Sequence, residues 1–327
     1  MTNEDAGNPA IDCWYLTGAT ASGKTAVGIE MAKLLDAEII SLDSMAIYRG
    51  MDVGTAKPSS EQLSTIPHHM IDICDPVETF SVSQYCDAAL EKISEIRQRG
   101  KEVLIVGGTA LYLKVLLRGM FDGPPADWEF RKQVEAELAD VSNEHLYERL
   151  KNVDPVAAHK LHPNDRRRLI RALEVFKQTG QPISHFQMQF DEGLPEDQVK
   201  VFTLRHPRPI LHERIEVRVD WMFDYGLIEE VQSLLDKWNE LSHTASQAVG
   251  YREVMEHIAG ERDREETVEK VRVRTRRFAR HQETWFRGLS ECRMIDLDES
   301  ATTDPDPVSI ATRLIELGTQ TVAESDV

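Results

Sequence analysis

The chain has 327 residues, of which 41% are hydrophobic and 29% charged, and its formal net charge is −18. This length predicts two domains, or one large domain with an insertion, and the hydrophobic fraction is ample for a core. The sequence contains no apolar stretch of about 18 residues that would span a membrane and no signal peptide, and its four widely spaced cysteines favour a reducing, cytoplasmic location.

An apolar run at 11–16 predicts the first strand, and the loop "GATASGKT" follows it directly. A glycine, four further residues and then Gly-Lys-Thr is the pattern of a P-loop, whose backbone N–H groups, lysine and following helix all face phosphate oxygens. The threonine of this motif offers its hydroxyl to Mg²⁺. We therefore predict that phosphate is bound by Gly18, Ala19, Thr20, Ala21, Ser22, Gly23, Lys24 and Thr25, with Thr25 as the metal ligand.

Strands then alternate with helices. "AEIISLD" at 37–43 predicts a second strand, a helix follows at 81–100, and "EVLIVGG" at 102–108 predicts a third strand before another helix. This alternation is typical of a doubly wound parallel sheet that binds ligands at the carboxyl ends of its strands. Many P-loop ATPases place a Mg²⁺-binding aspartate at the end of a second strand, but the third strand here ends in two glycines. The arrangement of motor ATPases is therefore not expected.

The second strand instead ends on an acidic residue, Asp43. At the tip of a strand beside the P-loop, its carboxylate would face across the phosphate site toward an acceptor. This position predicts a general base or a group that orients the acceptor. The alternative is an Asx cap on the following turn.

The pattern changes in the second half of the chain. Residues 122–198 read as helix and turn throughout, and 199–205 as a strand that returns to the sheet. Long helices at 207–240 and 263–289 and a short strand at 292–297 follow. The predicted fold is α/β, a P-loop NTPase-like doubly wound parallel sheet with an all-helical insertion. The predicted domains are a discontinuous catalytic core of 1–121 and 199–327 and an insertion domain of 122–198.

Arginine is concentrated in two segments, 164–174 and 271–287, whereas acidic residues are concentrated at the chain ends. On a helix, the second segment would carry an apolar stripe of Val271, Phe278, Trp285 and Leu289 beside a row of Arg272, Arg276 and Arg280. A solvated arginine face is one interpretation. Arginine without lysine favours the other, contact with phosphates, because the planar guanidinium binds phosphate through two hydrogen bonds.

Several motifs together resemble the bacterial type of the tRNA dimethylallyltransferase family, also called isopentenyl-diphosphate:tRNA transferases. They are "GATASGKT", "IISLDSMAIYRGMDVGTAKP", "PHHMIDI", "FSVSQY", "LIVGGTALYLKVLL", "RRRLIRALEV", "QAVGYRE" and "TRRFARHQETWFR". The resemblance runs from about residue 12 to 290. It implies transfer of a dimethylallyl group from dimethylallyl diphosphate to the exocyclic amine of the adenosine 3′ of a tRNA anticodon. The P-loop would then hold the diphosphate of the donor, with Mg²⁺ as cofactor, and the insertion would bind the anticodon stem-loop.

The resemblance also implies roles for individual residues. Lys24 and Arg218 would neutralise the departing diphosphate, Asp43 would accept the amine proton, and Thr109 would lie near that amine. Taken alone, Thr109 would be a helix N-cap and Arg218 a surface arginine. The implied tRNA contacts, besides Asp43 and Thr109, are Ser44, Met45, Ala46, Arg131, Arg166, Arg167, Arg168, Leu169, Ile170, Gln247, Ala248, Val249, Gly250, Tyr251, Arg252, Arg280, His281, Gln282, Glu283, Thr284, Trp285, Phe286 and Arg287.

Three residues depart from the family pattern. Ala19 replaces a common proline, Ala46 replaces a glutamine, which puts one contact with the anticodon loop in doubt, and Ala110 replaces a glycine and crowds the turn after Thr109. The adjacent histidines in "PHH" lack a third ligand, so they favour a structural role over a metal site.

Two other functions remain open. A relative that prenylates free adenine nucleotides would use the same P-loop and Asp43, and only the insertion and the arginine-rich helix favour tRNA. An ATP-dependent small-molecule kinase would leave the "GTAKP" and "QAVGYR" motifs unexplained. We expect a monomer that does not associate with membranes.

Overall fold

The structure, a computed structural model, describes residues 7–119, 123–137, 143–187, 193–297 and 306–325. The chain divides into two compact units: Met1–Leu117 with Leu194–Val327, and Arg118–Gly193. The ends predicted for the helical insertion, 122 and 198, lie within a few residues of the ends of the second unit.

The first unit is built on one sheet in which all neighbouring strands are parallel. The parallel α/β class predicted from the alternation is therefore confirmed. The strands are β1 (Trp14–Gly18), β2 (Ala37–Leu42), β3 (His68–His69), β4 (Glu102–Gly107), β5 (Lys200–Arg205) and β6 (Arg293–Asp296), in the spatial order β3-β2-β4-β1-β5-β6. Because β4 lies between β1 and β2, the carboxyl ends of these three strands are neighbours.

The helices follow in chain order, and α5 to α9 belong to the second unit. They are α1 (Lys24–Leu35), α2 (Ser60–Thr65), α3 (Val82–Gln98), α4 (Ala110–Arg118), α5 (Trp128–Glu137), α6 (Asn143–Val153), α7 (Pro155–Lys160), α8 (Arg166–Thr179), α9 (Ile183–Phe186), α10 (Arg208–Asp224), α11 (Leu227–Trp238), α12 (His243–Ser246), α13 (Tyr251–Ile258), α14 (Arg264–Arg287) and α15 (Pro307–Ser325). None of the described helices is long and apolar enough to cross a membrane.

The strands of the first unit are apolar on both faces because helices cover both sides of the sheet. All five residues of β1 and all six of β2 are buried. Leu16, Leu104 and Phe202 of the sheet share one core cluster with Met31 of α1 and Leu314 of α15. A second cluster joins α10, α11 and α13 to the segment after β2. The sheet is therefore a rigid base for the loops at its carboxyl edge.

Two features of the helices differ from the prediction. The region 207–240 contains two helices, because Gly226 adopts φ +95°, a left-handed conformation that α10 cannot continue. Helix α15 had no counterpart among the predicted elements.

The second unit has a hydrophobic core of its own. Phe130, Leu146, Leu150, Leu169 and Val175, from three helices, are all buried there. Its longest helix, α8, begins where the Asp165 carboxylate accepts a hydrogen bond from a backbone N–H and ends at Gly180, which has φ +69°.

Candidate active site

The P-loop joins β1 to α1 and curls through three positive φ angles. Gly18 has φ +145°, and a Cβ there would lie 2.7 Å from the Leu204 carbonyl oxygen, so only glycine fits. Ala21 and Gly23 follow with φ +63° and +86°. This alternation turns successive N–H groups toward one concave surface at the N-terminus of α1, where anions are favoured.

Lys24 reaches back over the loop. Its Nζ donates to the carbonyl oxygen of Ala19 at 2.6 Å and to Oγ of Ser22 at 3.4 Å. Burial, together with the nearby positive charge of Arg218, lowers the pKa of Lys24 to about 7, although the Asp43 carboxylate acts in the opposite direction. Two buried cations close together favour an anion beside them, so the charge of this site suits an anionic ligand.

Two arginines of α10 contact the loop one turn apart. Arg218 Nη1 donates to Oγ1 of Thr20 at 3.1 Å, and Arg214 Nε donates to the Ala21 carbonyl oxygen at 2.8 Å. Burial and the charge of Arg214 lower the pKa of Arg218, while Asp43 raises it. Arg218 is thus at the P-loop, as the family resemblance implies. Arg214 was not predicted, and its sequence context gave no signal that separates it from a surface arginine.

A glutamine of α14 completes the loop from the other side. The Thr20 N–H donates to Gln282 Oε1 at 2.8 Å, and Gln282 Nε2 donates to the Gly108 carbonyl oxygen at 2.9 Å. The sequence placed Gln282 among the tRNA contacts, but its side chain is buried against the P-loop and the end of β4.

Asp43 and Thr109 follow the adjacent strands β2 and β4. Oδ1 of Asp43 accepts the N–H groups of Met45 at 2.8 Å and Ala46 at 3.2 Å, which is the Asx cap predicted as the alternative role. Oδ2 makes no hydrogen bond to another residue within the described ranges. Thr109 Oγ1 accepts the N–H of Ser44 at 3.1 Å, so it joins the two strand ends. Asp43 and Thr109 therefore lie side by side at the carboxyl edge, with Thr109 on the strand next to the P-loop strand β1 and Asp43 one strand further away.

Strand β4, which lies between the P-loop strand β1 and the Asp43 strand β2, ends in one glycine and is followed by another, so it carries no side chain there. A Cβ on Gly107 would collide with the carbonyl of Leu42, and one on Gly108 would collide with the amide of Gln282. Gly107 also pairs with Thr17 of β1 and Leu42 of β2. Because neighbouring strands are about 4.8 Å apart, β1 and β2 are separated by roughly 10 Å across this bare position.

Thr25 fits its predicted role at a Mg²⁺ ion. It is exposed in the first turn of α1 and makes no hydrogen bond to any described residue. The described residues contain no group of three or more His, Cys, Asp or Glu side chains that could hold a metal. Mg²⁺ commonly binds through one or two protein oxygens, phosphate oxygens and water, so this donor set suits a metal that arrives with a diphosphate.

The three departures from the family pattern are all buried. Ala19 and Ala46 take part through their backbones, at Lys24 and Asp43 respectively. Ala110 is buried in the first turn of α4. The histidines of "PHH" form β3, where His68 pairs with the Ile66 carbonyl oxygen and His69 with Glu38.

The "QAVGYR" segment is divided between surface and core. Gln247 and Arg252 are exposed, and Arg252 donates to Gln247 Oε1 at 3.3 Å, so their contact with tRNA stays a prediction. Tyr251 is fully buried, and its hydroxyl donates to Glu230 Oε1 at 2.5 Å. Burial and the Glu230 carboxylate raise the pKa of Tyr251 well above its ordinary value. Tyr251 therefore supports the site and does not form part of its surface.

Glu230 explains the "GTAKP" segment. Its Oε2 accepts the N–H groups of Asp52 at 2.8 Å and Val53 at 2.7 Å, and its Oε1 accepts that of Gly54 at 3.1 Å. Lys57 crosses beneath and donates to the Tyr48 carbonyl oxygen at 2.6 Å. The motif is a loop tied to α11 and α13, and sequence reasoning did not identify Glu230.

The predicted tRNA contacts of the second unit also separate by burial. Arg167 and Arg168 are exposed in the first turn of α8, whereas Leu169 and Ile170 are in the core. Nε of Arg166 is buried without a hydrogen-bond partner in the described structure.

Arg131 is paired within the second unit. It binds Glu174 through Nε at 2.8 Å and Nη2 at 2.9 Å. Glu174 is fully buried; its pKa is lowered because Arg131 and Arg171 outweigh the opposing effect of burial. A tRNA contact of Arg131 stays a prediction, and in this structure its guanidinium supports the helical core.

On α14, the predicted stripe is wrong in two of its four positions. Phe278 and Trp285 are 45% and 40% exposed, and the buried face runs through Val271, Thr275, Ala279, Gln282 and Phe286. Arg272 binds Asp220 and Glu269, and Arg276 binds Glu216 and Glu269, so these two arginines secure α14 to α10.

The predicted contacts at the end of α14 are mostly available. Arg280, His281, Thr284, Trp285 and Arg287 are exposed. Arg280 and Arg287 have no acidic partner in the described structure. Phe286, by contrast, is fully buried. The exposed residues at this end of α14, together with the exposed Arg277, form a basic and aromatic surface. We call it the α14 face, and its residues are Arg277, Arg280, His281, Thr284, Trp285 and Arg287.

Comparison with known proteins gives a consistent answer. A family model described as IPP transferase matches residues 46–289. The tRNA dimethylallyltransferase of Rhodopirellula baltica is 50% identical over 297 residues, 88% of this chain and 89% of that protein. Among solved structures, the full-length tRNA isopentenylpyrophosphate transferase of Bacillus halodurans is similar to this chain, with 34% identity and a TM-score of 0.68. The match covers 97% of this chain and 100% of that one. A eukaryotic dimethylallyltransferase acting on tRNA matches at 25% identity and a TM-score of 0.74, covering 96% and 80%.

Proposed function

Because the chain belongs to the IPP transferase family, we propose that it transfers a dimethylallyl group from dimethylallyl diphosphate to the exocyclic amine of the adenosine 3′ of the anticodon in tRNAs. Diphosphate is the other product. The observation that carries this proposal is the shared carboxyl edge of β1, β4 and β2, with a phosphate cradle at one end and the Asp43 carboxylate at the other.

The P-loop side suits the leaving group. When the allylic C–O bond breaks, its electron pair goes to the diphosphate, whose negative charge increases. Lys24, the loop N–H groups and Arg218 converge on the cradle and stabilise that charge. A bound diphosphate would raise the pKa of Lys24 again, because an adjacent anion favours the protonated, positively charged form of the side chain. Mg²⁺ held in part by Thr25 would supply further positive charge at the diphosphate oxygens.

The Asp43 side suits the acceptor. The adenine amine is a weak nucleophile because its lone pair is delocalised into the ring. As the lone pair forms the new N–C bond, one amine proton must leave, and Asp43 Oδ2 is the acceptor. Oδ1 is already fixed by two backbone N–H groups, so the carboxylate is oriented in advance. The strands that carry the P-loop and Asp43 are roughly 10 Å apart, so donor and acceptor would meet over the end of β4.

The acceptor adenosine has to leave the stack of the anticodon loop before it can reach this edge. Single-stranded RNA is recognised by aromatic stacking and arginine contacts. Trp285 with Arg280 and Arg287 on the α14 face, and Arg167 and Arg168 on α8, supply such groups. We propose these as the tRNA contacts.

One experiment distinguishes the proposed activity from its alternatives. The protein is incubated with dimethylallyl diphosphate, Mg²⁺ and either unmodified tRNA, AMP or ATP, and the nucleosides are then weighed by mass spectrometry after digestion. We expect a dimethylallyl mass increment on adenosine from tRNA alone. An increment on AMP would indicate a nucleotide prenyltransferase, and consumption of ATP without prenylation would indicate a kinase.

A further inference from the structure

The Gln282 side chain bridges the two halves of the candidate active site, beyond the ends of the paired strands β1 and β4. One atom of its amide binds the P-loop at Thr20 N, and the other binds Gly108 O, the residue before Thr109. Only 8% of the Gln282 surface is exposed, so it is poorly placed for RNA, although it lies in the helix that carries the α14 face. We propose that Gln282 is a positioning residue that fixes the distance between the donor cradle and the acceptor edge.

The amide is the group that this position requires. Thr20 N–H needs an acceptor and Gly108 C=O needs a donor, and a glutamine amide offers both on one planar group. The reversed amide would oppose donor to donor and acceptor to acceptor, so the two neighbours determine its orientation. Gly108 is bare for the same reason, because a Cβ there would collide with Nε2 of Gln282.

Thr20 is held from both sides. Its backbone N–H donates to Gln282 and its hydroxyl accepts from Arg218, so this residue of the P-loop is fixed by α14 and α10 together. On the other side, Thr109 N donates to Leu42 O and Thr109 Oγ1 accepts Ser44 N, which continues the connection to the residue after Asp43. A chain of hydrogen bonds thus runs from the P-loop through Gln282 and Thr109 to the segment that carries Asp43, the proposed general base.

Removing the two hydrogen bonds of Gln282 should therefore lower the rate of prenyl transfer and leave the affinity for tRNA unchanged. An error of about 1 Å in the placement of reacting groups can cost on the order of 10²-fold in rate. This inference rests on the proposed function, because the measured step is prenyl transfer to tRNA.

The test compares Gln282→Met, Gln282→Glu and a control, Thr275→Val, on the same buried face of α14 but bonded only to Val271 O. Single-turnover rates are measured with dimethylallyl diphosphate and tRNA both saturating, alongside the Kd of an anticodon stem-loop RNA. We expect Gln282→Met to lower the rate by about 10- to 100-fold with the RNA Kd within about threefold of the parent. The control should retain the parental rate.

Gln282→Glu adds a pH readout. The introduced carboxylate can accept from Thr20 N but repels Gly108 O, whereas the protonated acid can donate to Gly108 O. Its rate relative to the parent should therefore rise by at least about threefold as the pH is lowered. A side chain that merely filled space would give no such rise.

Several outcomes overturn the inference. Rates of both Gln282 variants within about threefold of the parent, or a loss confined to the RNA Kd, would do so. If Gln282→Met fails to fold, a rate ratio for Gln282→Glu that does not rise with falling pH overturns it. A parent protein that prenylates AMP and not tRNA would contradict the proposed function instead, which keeps the two failures separate.

Discussion

At the scale of single residues, the cap that Asp43 forms is compatible with the proposed role as general base, although the sequence presented the two as alternatives. One carboxylate oxygen caps the turn after β2, and the other makes no hydrogen bond to a described residue. The cap uses only Oδ1, so Oδ2 remains available to accept a proton. It also fixes the direction of Oδ2, which is a requirement for efficient proton transfer.

Asp43→Asn separates these roles. The amide oxygen can still accept from Met45 N and Ala46 N, so the turn should persist, but the amide cannot accept a proton. We expect kcat to fall by about 10²–10⁴-fold with donor affinity unchanged. Single-turnover kinetics with both substrates saturating measure this. A rate within about threefold of the parent would mean that water removes the proton and that Asp43 only orients the adenine.

Lys24 makes diphosphate binding depend on pH. Its pKa is about 7 in the free protein, and a bound anion raises it, so binding above this pH takes up a proton. We expect the affinity for inorganic pyrophosphate to fall by up to about tenfold per pH unit above that value. Calorimetry in buffers of different ionisation enthalpy measures the uptake directly.

Lys24→Met is the control for this prediction. It retains the aliphatic stem, should weaken pyrophosphate binding, and should remove the part of the proton uptake that does not belong to the ligand itself. Equal uptake in parent and variant would assign the proton elsewhere. The same low pKa makes Lys24 unfavourable for folding at low pH: the unfolded lysine binds more protons, so this residue's contribution to stability rises with pH between about 7 and its ordinary value of 10.5.

At the scale of elements, α14 shows which arginines are free to bind RNA. Arg280 and Arg287 face solvent, whereas Arg272 and Arg276 are paired with acids of α10 and of α14 itself. Arg280→Gln with Arg287→Gln should weaken tRNA binding and reduce the slope of log Kd against log salt by about one to two.

Arg272→Gln is the matched control, because it removes one positive charge from the same helix at a paired position. Its salt slope should equal that of the parent. An identical slope for all three proteins would show that the α14 face is only solvated. Filter binding of an anticodon stem-loop at several salt concentrations provides the comparison.

The sequence predicted the extent of α14 but not its orientation. Large apolar residues were assigned to the buried face, yet Phe278 and Trp285 are partly exposed, and the buried face uses Thr275 and Gln282. Burial of Gln282 depends on partners in the P-loop and at the end of β4, which are far away in the chain. Periodicity within a helix cannot show such partners. The position of the P-loop between β1 and α1, by contrast, was predicted correctly, because its geometry is encoded in adjacent residues.

At the scale of the whole molecule, the alternation of strands and helices predicted a parallel sheet but not its strand order. The central place of β4 depends on pairing between segments that are distant in sequence. Strand β3 has only two residues and gives no periodic signal. The predicted roles of Thr109 and Arg218 came from resemblance to a family, since residue type alone could not distinguish them from a cap and a surface charge, whereas that of Asp43 was also predicted from its place at a strand end.

The two units have separate hydrophobic cores, so they should respond separately to a core mutation. Leu146→Ala removes a fully buried side chain of the second unit and should lower its free energy of unfolding by about 2–5 kcal/mol. Hydrogen exchange monitored by mass spectrometry should show faster exchange in α6 and α8 and little change in β1 and β4. Equal loss of protection in both units would show that they unfold together.

The bare end of β4 also bears on the evolutionary options of this enzyme. An aspartate introduced at Gly107 or Gly108 would bring its Cβ into the Leu42 carbonyl or the Gln282 amide. An acid at Gly107 would require the backbone of β2 to move, and an acid at Gly108 would require the Gln282 side chain to give up its bonds to Thr20 and Gly108. At Gly108, the acid of a P-loop ATPase and the Gln282 bridge between Thr20 and Gly108 therefore exclude each other.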